Sequence, residues 1–125
     1  MITKSQIKYL VSLKQKKYRI KENKFLIEGE KIISDAIHHA IIIEEILISS
    51  NYKPSKNYVQ LLIEINKKNI NITKVSNQII KKITALEQSP GIIAVAKIPI
   101  NLIPQKKITI SDNVIILDDI SNPGN

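Results

Sequence analysis

The sequence has no cysteine and only three glycines. Without cysteine there is no disulfide framework, no thiolate zinc site and no cysteine nucleophile. Gly29, Gly91 and Gly124 are isolated, about 2% of the chain against ~7% in ordinary proteins. Neither a P-loop nor a G-x-G-x-x-G turn can be written from them, so neither common phosphate cradle is present. Long apolar runs are also missing: no window approaches the ~18 residues of a membrane span. The opening residues Met1–Gln6 lack the apolar stretch of a secretory signal. These absences lead to the expectation of a cytoplasmic chain with no membrane partner. What remains is 125 residues of ordinary globular composition, 43% apolar, enough for one domain with a short appendage.

Charge is unevenly placed. Residues 1–31 hold nine cations against the three acids Glu22, Glu28 and Glu30. The last eighteen residues hold no cation and three acids, Asp112, Asp118 and Asp119. A basic head suggests a polyanionic partner, most often nucleic acid. A solvated lysine-rich surface with no partner is the competing reading, because heavy use of Ile, Lys and Asn also matches AT-rich coding.

Thr3-x-x-Gln6 predicts a capping box opening a helix that ends somewhere in 16–21. Ile7, Leu10, Val11 and Tyr18 share one face of it; Lys8, Ser12, Gln15, Lys16 and Arg19 share the opposite one. Phe25–Ile27 reads as a strand, and Gly29 permits a turn into a second helix bearing Ile32, Ile33, Ala36, Ile37 and Ala40. Ile46–Ile48 is the next strand. Ser55 is placed to cap a third helix with Tyr58, Leu61, Leu62 and Ile65 on its stripe. Ile70, Ile72 and Val75 mark a short strand. Ser76 caps a fourth helix bearing Ile79, Ile80 and Ile83, and Ile92–Ala96 is a closing strand after the turn Ser89-Pro90-Gly91. Strands that are continuous apolar runs suit burial on both faces. The expected fold is a three-layer α/β/α sandwich over residues 1–97.

Residues 98–113, with Pro99 and Pro104, read as a linker. Residues 114–125 begin with the buried-strand run Val114–Leu117 and look like the opening of another α/β domain. A lone apolar strand needs a partner. It is expected to dock on residues 1–97 or to pair with another copy of the chain.

Four segments together carry a family resemblance: Lys16-Lys17-Tyr18-Arg19, Phe25–Gly29, Ser89–Ala96 and Leu117–Asn125. In this order and spacing they resemble the N-terminal part of a SPOUT-class RNA 2′-O-ribose methyltransferase of the TrmH/SpoU type. Leu117-Asp118-x-x-x-Asn122-Pro123-Gly124-Asn125 is the most specific of them. Two positions depart from the family: Pro90 stands where Gln is usual, and Asn122 where Asp is more common. The resemblance implies an N-terminal substrate-binding module with a fold like that of kink-turn-binding ribosomal proteins. A catalytic domain with a trefoil knot follows it in the family. The implied substrate is rRNA or tRNA and the implied cofactor S-adenosylmethionine, with dimerisation through the catalytic domain. Asn125 matches the family residue that positions a catalytic arginine lying further on, as do the motifs of the donor pocket. The implication is that these 125 residues bind no methyl donor and are inactive alone.

On this reading Lys8, Lys14, Lys16, Lys17, Arg19, Lys24 and Lys31 are candidates for RNA phosphates. Arg19 leads because its planar fork binds phosphate bidentately. Tyr18 is a candidate to stack on an unpaired base, or else a core residue. No metal site is expected: adjacent His38 and His39 point apart on a helix, and Asp118–Asp119 fits a structural turn. Two other functions remain open on sequence. One is a stand-alone RNA-binding module of ribosomal-protein type; the other is an interaction domain with no RNA partner.

Overall fold

The computed structural model describes residues 2–99 and the strand segments 108–110 and 115–117. Helices α1 (Lys4–Ser12) and α2 (Lys16–Glu22) lead into strand β1 (Lys24–Glu28). Helix α3 (Glu30–His38) and strand β2 (Ile43–Ser49) follow, then α4 (Tyr58–Lys67), β3 (Asn71–Val75), α5 (Asn77–Ile83) and β4 (Ile92–Lys97). The alternation expected from the apolar runs is therefore present. The caps are also as the sequence implies. Thr3 and Gln6 close a reciprocal capping box, and the Ser76 hydroxyl accepts from Ile79 N–H at 3.2 Å. Ser55 is the exception: Asn57 stands at the cap of α4 without a side-chain bond, and Ser55 binds Glu30 instead.

The four strands form a mixed sheet in the order β1-β4-β2-β3. The last strand inserts between the first two, antiparallel to both, while β3 runs parallel to β2. The carboxyl ends of β1, β2 and β3 and the start of β4 thus share one end of the sheet.

Side chains alternate across a strand, and that alternation divides the core in two. Ile46 and Ile48 of β2 and Ile92, Ala94 and Ala96 of β4 pack with Ile33 and Ile37 of α3 and Leu61 and Ile65 of α4. Leu47, Ile93 and Val95 pack instead with Leu10 and Leu13 from the α1 end and Ile80 and Ile83 of α5. A central strand covered on both faces must be apolar at every position. This is why Ile92–Ala96 is an unbroken run and is buried throughout. Each isoleucine or valine of the run contributes about 1.5–3 kcal/mol by leaving water.

The first helix differs from expectation. The chain breaks at Leu13–Gln15, and Gln15 takes an extended conformation ahead of α2. The physical cause is Leu13, 1% exposed, which turns into the core. The break takes Tyr18 off the face of Ile7, Leu10 and Val11, and it becomes half-buried on α2.

The segment read as a linker also contains structure. Strand β5 (Ile108–Ile110) pairs antiparallel with β6 (Ile115–Leu117), with Ile108 opposite Leu117 and Ile110 opposite Ile115. Residues 115–117 therefore have a strand partner within the chain itself. Ile-Thr-Ile is a β-branched triplet with strand propensity of its own, which the two prolines in 98–113 obscured. Asn125 and the rest of the motif after Leu117 lie outside the described residues.

Candidate nucleic-acid interface

The basic residues singled out on sequence do not form one surface. Lys8 on α1 and Lys16 and Lys17 at the start of α2 are exposed. Lys17 Nζ lies 5.0 Å from the centre of the Tyr18 ring, a cation–π contact that presents both groups together. Lys14 donates from Nζ to the carbonyl of Lys82 at 2.9 Å. That bond joins the α1–α2 corner to the end of α5 and brings exposed Lys81 and Lys82 beside it. Sequence reasoning missed these two because they are more than sixty residues away along the chain.

Arg19 requires a correction. Its side chain is only 3% exposed, and its guanidinium donates to the carbonyls of Leu13 and Lys14 at 3.0 and 2.8 Å. These carbonyls lie where α1 ends and lack helical partners. The fork expected to meet phosphate instead fastens α2 to the end of α1. A planar, permanently charged donor suits two convergent carbonyls as well as it suits a phosphate.

Lys24 is half-buried and paired: Nζ lies 2.9 Å from Glu44 Oε1 and 5.7 Å from the centre of the Tyr9 ring. The hydrogen bond to Glu44 raises the Lys24 pKa above its ordinary 10.5, outweighing desolvation. A raised lysine pKa means the pair supports the fold below pH 10.5 and loses that support as pH rises through the higher folded value. Lys31 is exposed but sits on α3, which packs on the opposite face of the sheet from α1 and α5. The candidates that remain are Lys8, Lys14, Lys16, Lys17 and Tyr18, with Lys81 and Lys82 added beside Lys14.

A second group of residues lies at the sheet end where the strand termini gather. Glu28 accepts from Thr84 Oγ1 at 2.6 Å and from Ala85 N–H at 3.1 Å, holding the loop before β4. Glu30 accepts from Tyr52 Oη, Ser55 Oγ and Ser55 N–H, holding the loop after β2. The Phe25–Gly29 motif thus supplies the tie for one loop, and Glu30 just after it the tie for the other. Between them Gly29 takes φ +104°, a backbone state closed to most side chains. Both carboxylates face protein donors and hold the two loops in place. Among the described residues no group of three or more His, Asp or Glu side chains could hold a metal ion. No helix among them is long and apolar enough to cross a membrane.

A mixed four-stranded sheet with helices is also the fold of the N-terminal region in known RNA ribose methyltransferases. A solved RNA 2′-O ribose methyltransferase superposes with a TM-score of 0.68 at 27% identity, over 78% of this chain and 36% of that one. An S-adenosylmethionine-bound rRNA methyltransferase from Sinorhizobium meliloti shares the fold at a TM-score of 0.61 and 20% identity, over 78% of this chain and 34% of its own. Among curated proteins, the 23S rRNA (guanosine(2553)-2′-O)-methyltransferase RlmP of Bacillus subtilis (strain 168) is 27% identical over 120 residues, 96% of this chain and 43% of RlmP. The chain spans less than half the length of that relative. The model of the MRM3-like substrate binding domain matches residues 4–94. The chain belongs to this family, the N-terminal domain of SPOUT-class RNA 2′-O-methyltransferases. Members of the wider class bind S-adenosylmethionine.

Proposed function

We propose that this chain is the part of an rRNA 2′-O-ribose methyltransferase that grips the substrate RNA. Lys8, Lys14, Lys16, Lys17, Lys81 and Lys82 meet phosphates, and the methyl transfer itself belongs to a knotted domain. The RNA-gripping unit covers residues 1–97, with 98–113 leading to a catalytic unit that opens at 114. Helices on both faces of the sheet fit the three-layer arrangement of kink-turn-binding ribosomal proteins. A cytoplasmic location and dimerisation through the catalytic unit belong to the same reading. The observation that carries the proposal is the joining of two basic segments, distant in sequence, by the Lys14–Lys82 bond.

The position of Lys16 and Lys17 adds to it. α2 has no acid in its first turn, and cations there oppose the helix dipole. An anion docked at the corner reverses that penalty. The similarity to RlmP runs past residue 94, where the substrate-binding model ends, and this favours the enzyme over a stand-alone ribosomal-protein-like module.

The test is RNA affinity against salt for an rRNA fragment, with the wild-type chain and a Lys16→Ala/Lys17→Ala variant. The variant is expected to bind about tenfold more weakly and to lose close to two units of salt slope, since each phosphate contact contributes ~0.9. Its melting temperature should stay within a degree or two of wild type, because both side chains are exposed. Equal affinity and equal slope in the two proteins would remove the corner from the interface. In the same solutions, S-adenosylmethionine titrated into the 125-residue chain is expected to give no binding heat.

A further inference from the structure

An open cleft of about 410 Å³ lies where the carboxyl ends of β2 and β3 meet the start of α4. Tyr52 and Tyr58 give it aromatic walls, Ile48, Pro54 and Ile72 give it apolar surface, and Lys74 is its one charged lining residue. The two rings stand 5.6 Å apart and tilted by 59°, so a flat ligand stacks on one and meets the edge of the other. Tyr52 is fixed: its hydroxyl is held by Glu30, and its ring lies against Gly91. Burial and the nearby Glu30 raise the Tyr58 pKa above 10.0, which keeps that phenol neutral under ordinary conditions.

The chain around these lining residues is mostly basic in sequence. Residues 46–86 contain seven lysines and a single acid, Glu64. Glu64 is buried and engaged by Ser34 and His38. Glu30, the acid nearest the tyrosines, is occupied by Tyr52 and Ser55. An aromatic cleft of this size, with one lysine and no free carboxylate, suits a planar base carrying a phosphate. A peptide would need a longer groove, and a paired base stays inside its own stack.

We propose that the cleft takes one unpaired nucleotide of the bound RNA, its base stacked on Tyr58 and its phosphate on Lys74. The proposal rests on the RNA-binding reading above and adds a single-strand subsite to it, at the end of the sheet rather than at the α1–α2 corner.

The test compares a hairpin RNA carrying an open loop with a fully paired duplex of the same length, against the 125-residue chain. Tyr58→Ala is expected to weaken hairpin binding about tenfold and leave duplex binding unchanged. Tyr58→Phe should keep wild-type affinity for both. Lys74→Ala, an exposed change that spares the fold, should lower the salt slope for the hairpin by about one unit. The chain has four tyrosines and no tryptophan, so the part of the tyrosine quenching that Tyr58→Phe removes reports stacking on Tyr58. Hairpin binding and slope unchanged in both Tyr58→Ala and Lys74→Ala, while Lys16→Ala/Lys17→Ala still weakens it, would overturn the subsite alone. Failure of the wild-type chain to bind either RNA would overturn the RNA-binding reading and the subsite with it.

Discussion

Replacing Arg19 with alanine is expected to lower the thermal midpoint by about 10–20 °C, a loss of about 2–4 kcal/mol in a domain of this size. The guanidinium is buried and bonds the carbonyls of Leu13 and Lys14, so its removal strands both acceptors at the α1–α2 corner. A lost charged hydrogen bond costs about 1.5–3 kcal/mol, and the vacated space adds a packing term. Arg19→Lys is expected to recover part of the loss, since both carbonyls accept from the single nitrogen Nη1, but the smaller ammonium leaves the rest of the buried guanidinium's space unfilled. Differential scanning calorimetry checks this. A drop below 3 °C for Arg19→Ala would mean the corner is not held by this residue. The contrast with Lys16→Ala/Lys17→Ala is diagnostic. One variant loses stability and the other loses RNA, although the residues are neighbours in one tetrapeptide.

Gly91→Ala is expected to cost about 2–3 kcal/mol. Gly91 sits at φ +86°, where an L side chain is strained, and an added Cβ would lie 3.0 Å from Tyr52 Cδ1. Its carbonyl also accepts from Ser49 N–H at 2.8 Å, which ties the start of β4 to the end of β2. The methyl group therefore pushes on a ring that Glu30 already holds by its hydroxyl. Chemical denaturation gives the loss. The structure further predicts that Gly91→Ala combined with Tyr52→Ala is less destabilised than the sum of the two, because the clash disappears with the ring. Strict additivity would place the cost of Gly91→Ala in the backbone alone.

Much of this molecule is local, and local features are legible in one dimension. Caps depend on residues three apart, so Thr3/Gln6 and Ser76 named two helix starts without any tertiary information. The apolar runs at 25–27, 46–48 and 92–96 were strands because buried strands must be apolar on both faces. The family resemblance is likewise carried by short segments, above all Leu117–Asn125. What failed was whatever depended on which residues meet in space. Helical spacing put Arg19 on a polar face with Lys16, but the break at Leu13–Gln15 reset the phase and turned Arg19 inward.

By itself, then, the sequence determined the succession of helices and strands, the absence of thiol and nucleotide-cradle chemistry, and the family. Those follow from composition and from contacts a few residues long. Only the tertiary structure decided that β4 slips between β1 and β2, since strand order rests on pairings between residues far apart in the sequence. It alone joined Lys81 and Lys82 to the corner of Lys14, Lys16 and Lys17, and set Tyr52 beside Tyr58 above Lys74. A charge acts through distance in space, and separation along the chain gives no measure of that until the chain has folded.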